Sequence, residues 1–138
     1  RKKDIIVNSG GDNISPARVE SMLTETMEIG QALVFGDKQP HLVALIVPSL
    51  DYASEWSSKN KADYDLEKFV KDIEFIKGIE QSVNRVNNKL SIIERVRRFI
   101  LIPQEFSVEN GMMTPTLKLR RHNILSQYGK ELDALYRR

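Results

Sequence analysis

Apolar positions along the chain fall into short runs broken by turn formers and into helical stripes. Ile5, Ile6 and Val7 form a β-branched run that predicts a strand. Residues 8–13 follow as a turn-forming stretch, the tip of a hairpin or an ordered loop, in which Gly10 and Gly11 open backbone angles closed to other residues. Ser15-Pro16 predicts a helix start, with Ser15 as N-cap and Pro16 in the first helical position. Val19, Met22, Leu23 and Met27 keep the spacing of one helical face. Residues 31–35 and 42–47 predict an antiparallel pair joined through residues 36–40, the second strand nearly all apolar and therefore central.

Residues 50–59 predict a helix bearing Trp56, read as half-buried packing, and 59–63 a polar loop. Asp65 is placed to cap a longer helical region whose face runs through Leu66, Phe69, Val70, Ile73 and Ile76 or Lys77. Ile79, Val83, Val86 and Leu90 continue that face past Gly78, where a break or kink is expected. Val96 and residues 99–102 predict a strand closed by Pro103, and Glu109-Asn110-Gly111 a turn. Residues 112–116 are expected to be extended, since Pro115 biases Thr114 away from helix. On such a strand-like segment Leu117 and Leu119 would flank Lys118 and anchor it in the domain. The last helix is expected from about residue 120 to 136, with Ile124, Leu125, Tyr128, Leu132 and Leu135 as its apolar face. The class implied is α+β, a small mixed or antiparallel sheet flanked by helices, without internal repeats.

A length of 138 residues suits one domain, and 41% hydrophobic with 29% charged residues suits a core under a charged surface. Lys and Arg number 21 against 19 Asp and Glu, and a net charge of +2 is too mild for a nucleic-acid reading. The absence of cysteine excludes disulfides, thiolate metal sites and a cysteine nucleophile, and fits a reducing compartment. Two histidines, His41 and His122, are too few for a His-rich metal site; His41 reads as a loop residue and His122 as exposed at a helix start. No apolar run approaches the roughly 18–20 residues needed to span a bilayer, and no stretch has a signal-peptide pattern. Beginning at Arg1 and running straight into a strand pattern, the chain reads as a piece of a longer protein. No phosphate-binding glycine fingerprint of the G-x-x-x-x-G-K-(S/T) or G-x-G-x-x-G type occurs.

Local sequence leaves the chemistry open. Lys118 alone reads as a solvated lysine near a helix start, and Ser9-Gly10-Gly11 as an ordinary hairpin turn. Arg95 and Arg97 are expected to share one face of a strand while Arg98 points away, so the three do not make one basic patch.

Two segments taken together change that reading. RKKDIIVNSGGDNISPARVE, residues 1–20, and FSVENGMMTPTLKLRRHNIL, residues 106–125, resemble the C-terminal domain of the adenylate-forming enzymes, the group of acyl-CoA synthetases, luciferases and peptide-synthetase adenylation domains. The wording ENG-xx-TPT-x-K-x-(K/R)-R, with the double-glycine loop, is most similar to long-chain fatty acyl-CoA synthetases, and the stretch IERVRRFIL, residues 93–101, resembles the strand leading to that motif. The resemblance covers nearly the whole chain and implies one C-terminal domain of a longer enzyme. Residues 1–14 would form the hinge, strand and glycine loop, 15–103 the α+β core, and 104–138 the lysine loop and terminal helix.

It further implies an ATP-dependent ligase that makes acyl-AMP from a carboxylate and then transfers the acyl group to CoA, with Mg²⁺ accompanying ATP in the intact enzyme. Lys118 matches the adenylation lysine, Arg1 the arginine that contacts the nucleotide ribose, and Lys3 the hinge about which the domain rotates. Ser9, Gly10 and Gly11 match the loop that serves the thioester step; Asp12 and Asn13 depart from the family pattern there. The implied partners are the N-terminal adenylation domain, fatty acid, ATP and CoA, with no nucleic acid, and the isolated domain is expected to be inactive. Arg95, Arg97 and Arg98 then read as a solvated edge, or as contacts to the adenylation domain or to CoA phosphates. The implied location is cytoplasmic, with peripheral membrane contact of the parent left open. Two rivals stand beside this reading: an acyl-AMP ligase that loads a carrier protein, and a non-catalytic partner-binding α+β module.

Overall fold

The computed structural model describes residues 4–137. Strands β1 (Ile6–Val7) and β2 (Asn13–Ile14) form a small antiparallel hairpin, followed by helix α1 (Pro16–Thr24). Strands β3 (Ile29–Phe35) and β4 (Leu42–Pro48) come next, then helices α2 (Leu50–Lys59), α3 (Leu66–Phe69) and α4 (Ile73–Asn87). A 3₁₀ turn at Ile92–Glu94 leads into β5 (Val96–Leu101), and α5 (Arg121–Ala134) closes the domain. The main sheet has the order β3-β4-β5, with β4 antiparallel to β3 and parallel to β5. The expected α+β class with a small mixed sheet is what forms.

All seven residues of β4 are buried, which a strand requires when both faces of its sheet are covered. Side-chain alternation divides the core accordingly. Ala32, Val34, Leu42, Ala44 and Ile46 face α1 and α4, together with Ile6 and Ile14 of the small hairpin. Leu33, Val43, Leu45 and Val47 face α5 and the segment carrying Phe106, Met112, Met113 and Leu119. A third, aromatic cluster of Phe69, Phe75 and Trp56 fills the space between α2, α3 and α4, with Trp56 half-buried as expected.

Helix starts follow the expected capping chemistry. The Ser15 hydroxyl accepts from the Arg18 N–H with Pro16 at the first turn, and Asp65 accepts from the Lys68 N–H. The break expected at Gly78 is instead at residues 70–72, where Asp72 Oδ1 accepts from the N–H groups of Glu74 and Phe75 at 2.9 and 3.2 Å and starts α4 afresh. Helix α4 runs unbroken through Gly78 because the glycine serves close approach: a Cβ there would lie 2.0 Å from Tyr52 Oη. The strict alternation expected for the arginines of β5 also gives way. The register steps from Leu42–Val96 to Val43–Arg98, so Arg97 is the extra residue of a bulge and both Arg97 and Arg98 are exposed. Arg98 Nη1 donates to the Leu135 carbonyl at 2.9 Å, tying β5 to the end of α5.

The Tyr52 hydroxyl donates to the Phe75 carbonyl at 2.7 Å, so its ring has a fixed place above Gly78. Gly78→Ala should therefore destabilise the domain, by about 1–3 kcal/mol for overpacking, against the ~1 kcal/mol gain that helix propensity alone would give. A lowered denaturation midpoint in urea checks the sign.

Candidate functional site: two hairpin loops and the Glu20–Arg121 pair

The glycine loop and the lysine loop are built alike. In the first, the Asn8 N–H donates to the Asp12 carbonyl and the Gly11 N–H to the Asn8 carbonyl, at 3.1 and 3.0 Å. Asn8 Oδ1 also accepts from the N–H groups of Gly10 and Asp12 at 3.0 and 2.9 Å. In the second, the Thr114 N–H donates to the Lys118 carbonyl and the Leu117 N–H to the Thr114 carbonyl, both at 2.8 Å. Thr114 Oγ1 accepts from the Lys118 N–H at 3.1 Å. Each is a three-residue hairpin loop whose last residue sits in the left-handed region, Gly11 at φ +85° and Leu117 at φ +65°.

The lysine segment is thus a hairpin, closed by a Met113–Leu119 bridge, and not the extended run expected from Pro115. Of the two leucines expected to anchor Lys118, Leu119 packs against the α5 side of the core, whereas Leu117 at the tip is 68% exposed. The Lys118 side chain is exposed on a backbone fixed by hydrogen bonds at its own N–H and C=O.

Ser9, Gly10 and Gly11 are exposed too, and their loop is fastened to the turn between β3 and β4. The Ser9 N–H donates to the Gln39 carbonyl at 2.9 Å, and the Lys38 N–H to the Val7 carbonyl at 2.7 Å. The hairpin that carries this loop is anchored through Ile6 and Ile14 on the α1/α4 face of the sheet; the lysine hairpin is anchored on the α5 face. Arg1 and Lys3 lie outside the described residues.

The side chains that join the two sides went unread in the sequence. Arg121, three residues beyond Lys118, donates through Nη1 and Nη2 to Glu20 Oε2 and Oε1 at 2.6 and 2.5 Å, and through Nε to Asp4 Oδ2 at 3.1 Å. Glu20 Oε2 also accepts the Val34 N–H at 2.8 Å, satisfying the outer edge of β3. Burial pushes the Glu20 carboxyl above its usual range, against the opposing pull of the Arg121 hydrogen bonds and charge and of the Val34 N–H. Burial alone would lower the Arg121 guanidinium; hydrogen bonds and charge from Glu20 and then Asp4 overcome it and raise it. The available signal was a glutamate beside Val19 on the apolar side of α1.

Around this cluster a groove of about 840 Å³ opens, bordered by Asp4, Ser15, Glu20, Leu117, Lys118 and Arg121. Small and apolar residues, Ala17, Ala32, Met113 and Leu119 among them, line it beside the charged groups. His41 stacks on Tyr136 with ring centroids 5.0 Å apart, and His122 is exposed. Among the described residues no group of three or more His, Asp or Glu is placed to hold a metal ion, and no helix is long and apolar enough to cross a membrane.

These features define a domain with two displayed loops on a rigid α+β frame, and the chain belongs to the family of AMP-binding enzyme C-terminal domains, which matches residues 3–138. Among curated relatives it is 33% identical, over 99% of its length, to the long-chain-fatty-acid–CoA ligase FadD15 of Mycobacterium tuberculosis. It is 30% identical, again over 99% of its length, to long-chain-fatty-acid–CoA ligase 1 of Cavia porcellus. The chain spans only 23% and 20% of those two proteins. Among solved structures, the adenylation domain of a Mycobacterium chelonae carboxylate reductase superposes with a TM-score of 0.78 at 24% identity, covering 96% of this chain and 19% of that one. The A-PCP didomain of the Segniliparus rugosus carboxylic acid reductase, in complex with AMP, gives 0.77 at 23% identity, covering 99% of this chain and 18% of that one. At those identities the two structures share the fold with this chain.

Arg121→Ala would leave the Glu20 carboxylate buried without its partner, and should destabilise the domain by about 3 kcal/mol at neutral pH. A carboxyl whose folded-state pKa is raised holds its proton more tightly folded than unfolded, so stability falls as pH rises through the interval. The deficit of the variant should therefore shrink as pH is lowered to roughly 4, near the unperturbed carboxylate value. Urea unfolding of both proteins across that range checks it.

Proposed function

We propose that the chain is the mobile C-terminal lid of an ATP-dependent acyl-CoA ligase that activates a fatty acid as acyl-AMP and passes the acyl group to CoA. The observation that carries this reading is the presentation of Lys118, a side chain exposed on a hairpin whose backbone is fixed at that residue. Membership of the AMP-binding enzyme C-terminal family and the names of the curated relatives support the substrate classes.

In the first half-reaction a carboxylate oxygen attacks the α-phosphorus of ATP, and the bond to the departing pyrophosphate breaks. Negative charge gathers between the two anionic groups. Lys118 brings a compact ammonium on a long stem to that charge and lowers the barrier by stabilising the transition state. In the second, the CoA thiol gives up its proton, its sulfur attacks the acyl carbon, and AMP leaves. Ser9, Gly10 and Gly11 then line the approach of the pantetheine chain, where the missing side chains allow close passage of backbone. Arg1 would hold the ribose through its guanidinium, and Lys3 would absorb the rotation in its backbone angles.

The placement of the two loops on opposite sides of one sheet suits this division of labour: turning the domain as a rigid body exchanges one loop for the other at a fixed active site. The adenylation domain, fatty acid, ATP and CoA are the partners of the intact enzyme, and the domain by itself has no activity. The parent enzyme works in the cytoplasm. Mg²⁺ accompanies ATP in the intact enzyme.

In the full-length enzyme, Lys118→Ala should lower fatty-acid-dependent pyrophosphate release about 10²-fold or more, the scale of losing one transition-state charge contact. Transfer from supplied acyl-AMP to CoA should persist. Lys3→Pro should do the reverse, sparing adenylation and blocking the thioester step. Equal loss of both half-reactions in Lys118→Ala would sink the step-specific role, and unchanged release would bring forward a non-catalytic binding module.

A further inference from the structure

Leu117 occupies a backbone position that favours glycine, and it buries little in its own domain. We infer that Leu117 is a positioning residue: an apolar tip that packs into the adenylation body preceding residue 1 and thereby seats Lys118 for the first half-reaction. This rests on the reading of Lys118 as the adenylation lysine.

Three observations carry it. At φ +65° a leucine bears a steric cost from its Cβ, and the glycine loop, of the same construction, has Gly11 at φ +85° in the equivalent place. The local fold is therefore served as well or better by glycine; Lys38 and Lys61 take the same region in turns, but those side chains are charged, whereas Leu117 displays an apolar one. Second, that side chain is 68% exposed, while Met113 and Leu119 on the same hairpin pack against the core. Among the described residues its apolar surface joins none of the core clusters, so nothing there offsets the strain.

Third, the partner it would meet lies on the right side. The first described residue, Asp4, is held by Arg121 and borders the same groove as Leu117 and Lys118. The described chain therefore begins beside the lysine hairpin, the side from which a preceding body would approach. The curated relatives are several times longer, with this chain spanning 23% and 20% of two of them, so the preceding body is large enough to bury the tip. Because the Lys118 N–H and C=O are both bonded to Thr114, fixing Leu117 in a recess fixes the origin of the lysine side chain as well. The hairpin transmits the contact without slack, and an error of an ångström in the position of a reacting group is costly.

The test compares Leu117→Gly, Leu117→Met and Lys118→Ala in the full-length enzyme, with three readouts: carboxylate-dependent pyrophosphate release, transfer from supplied acyl-AMP to CoA, and the thermal midpoint. Leu117→Gly should lower pyrophosphate release about tenfold or more, leave acyl transfer unchanged, and leave the midpoint unchanged or raised. Leu117→Met keeps an apolar side chain of similar reach and should restore most of the first rate. If Leu117→Gly releases pyrophosphate at the wild-type rate while Lys118→Ala does not, the inference falls and the lysine reading stands. If Lys118→Ala is itself unaffected, the reading beneath falls and takes the inference with it. A Leu117→Gly enzyme that melts lower and loses both half-reactions together would make Leu117 a residue of the fold, and overturn the proposal.

Discussion

The double-sided burial of β4 is the constraint on which the rest depends. A strand with all seven residues out of water needs a layer of helices on each face, and the chain supplies α1 and α4 for one and α5 for the other. The connection from β4 to the parallel β5 crosses one face through α2, α3 and α4, so the later segments are left to cover the second. That partition places the glycine hairpin with the first layer and the lysine hairpin with the second. A sheet covered on one side only would have had no second apolar face to anchor Met112, Met113 and Leu119.

The two layers meet at the free edge of β3, which is closed by side chains. Gln31 exchanges two hydrogen bonds with the backbone of Phe106, and Glu20 accepts the Val34 N–H. These contacts blunt an edge that would otherwise invite strand addition. They also bring α1 and the start of α5 close enough for Glu20 and Arg121 to pair. Arg121 fits because a planar guanidinium can bond two carboxylate oxygens at once and still reach Asp4 with Nε. The same residue therefore fixes the base of the lysine hairpin and the point at which the chain enters the domain.

Much of the fold was legible because local signals and burial agree. The unbroken apolar run of β4, the Ser15-Pro16 helix start and the Asp65 cap each carry their reason within a few residues. The misreadings arise where a distant or unusual partner decides. Gly78 reads as a helix breaker until Tyr52, far away in sequence, is seen to need the space. Leu117 gives no turn signal, since leucine occupies a position that glycine normally marks, and Pro115 pointed to an extended segment instead. The arginines of β5 lost their alternation to a bulge that nothing in VRRFIL announces. Of the candidate site, Lys118 and the glycine loop stood out only through resemblance to a known family. For Glu20 the one local signal is its place beside Val19 on the apolar side of α1; its pairing with Arg121 is not legible, because partners separated by so much chain leave no joint pattern.

The Glu20–Arg121 pair spans 101 positions of sequence. During synthesis Glu20 emerges 101 residues before its partner, which appears only with α5. Until then the carboxylate has a bare strand edge and water for company, the second face of β4 lies uncovered, and the nascent chain holds an incomplete core. The domain is thus completed from its C-terminal end, with commitment to the native arrangement deferred until the last segment is made. A contact this distant in sequence requires a long loop to close before it is rewarded.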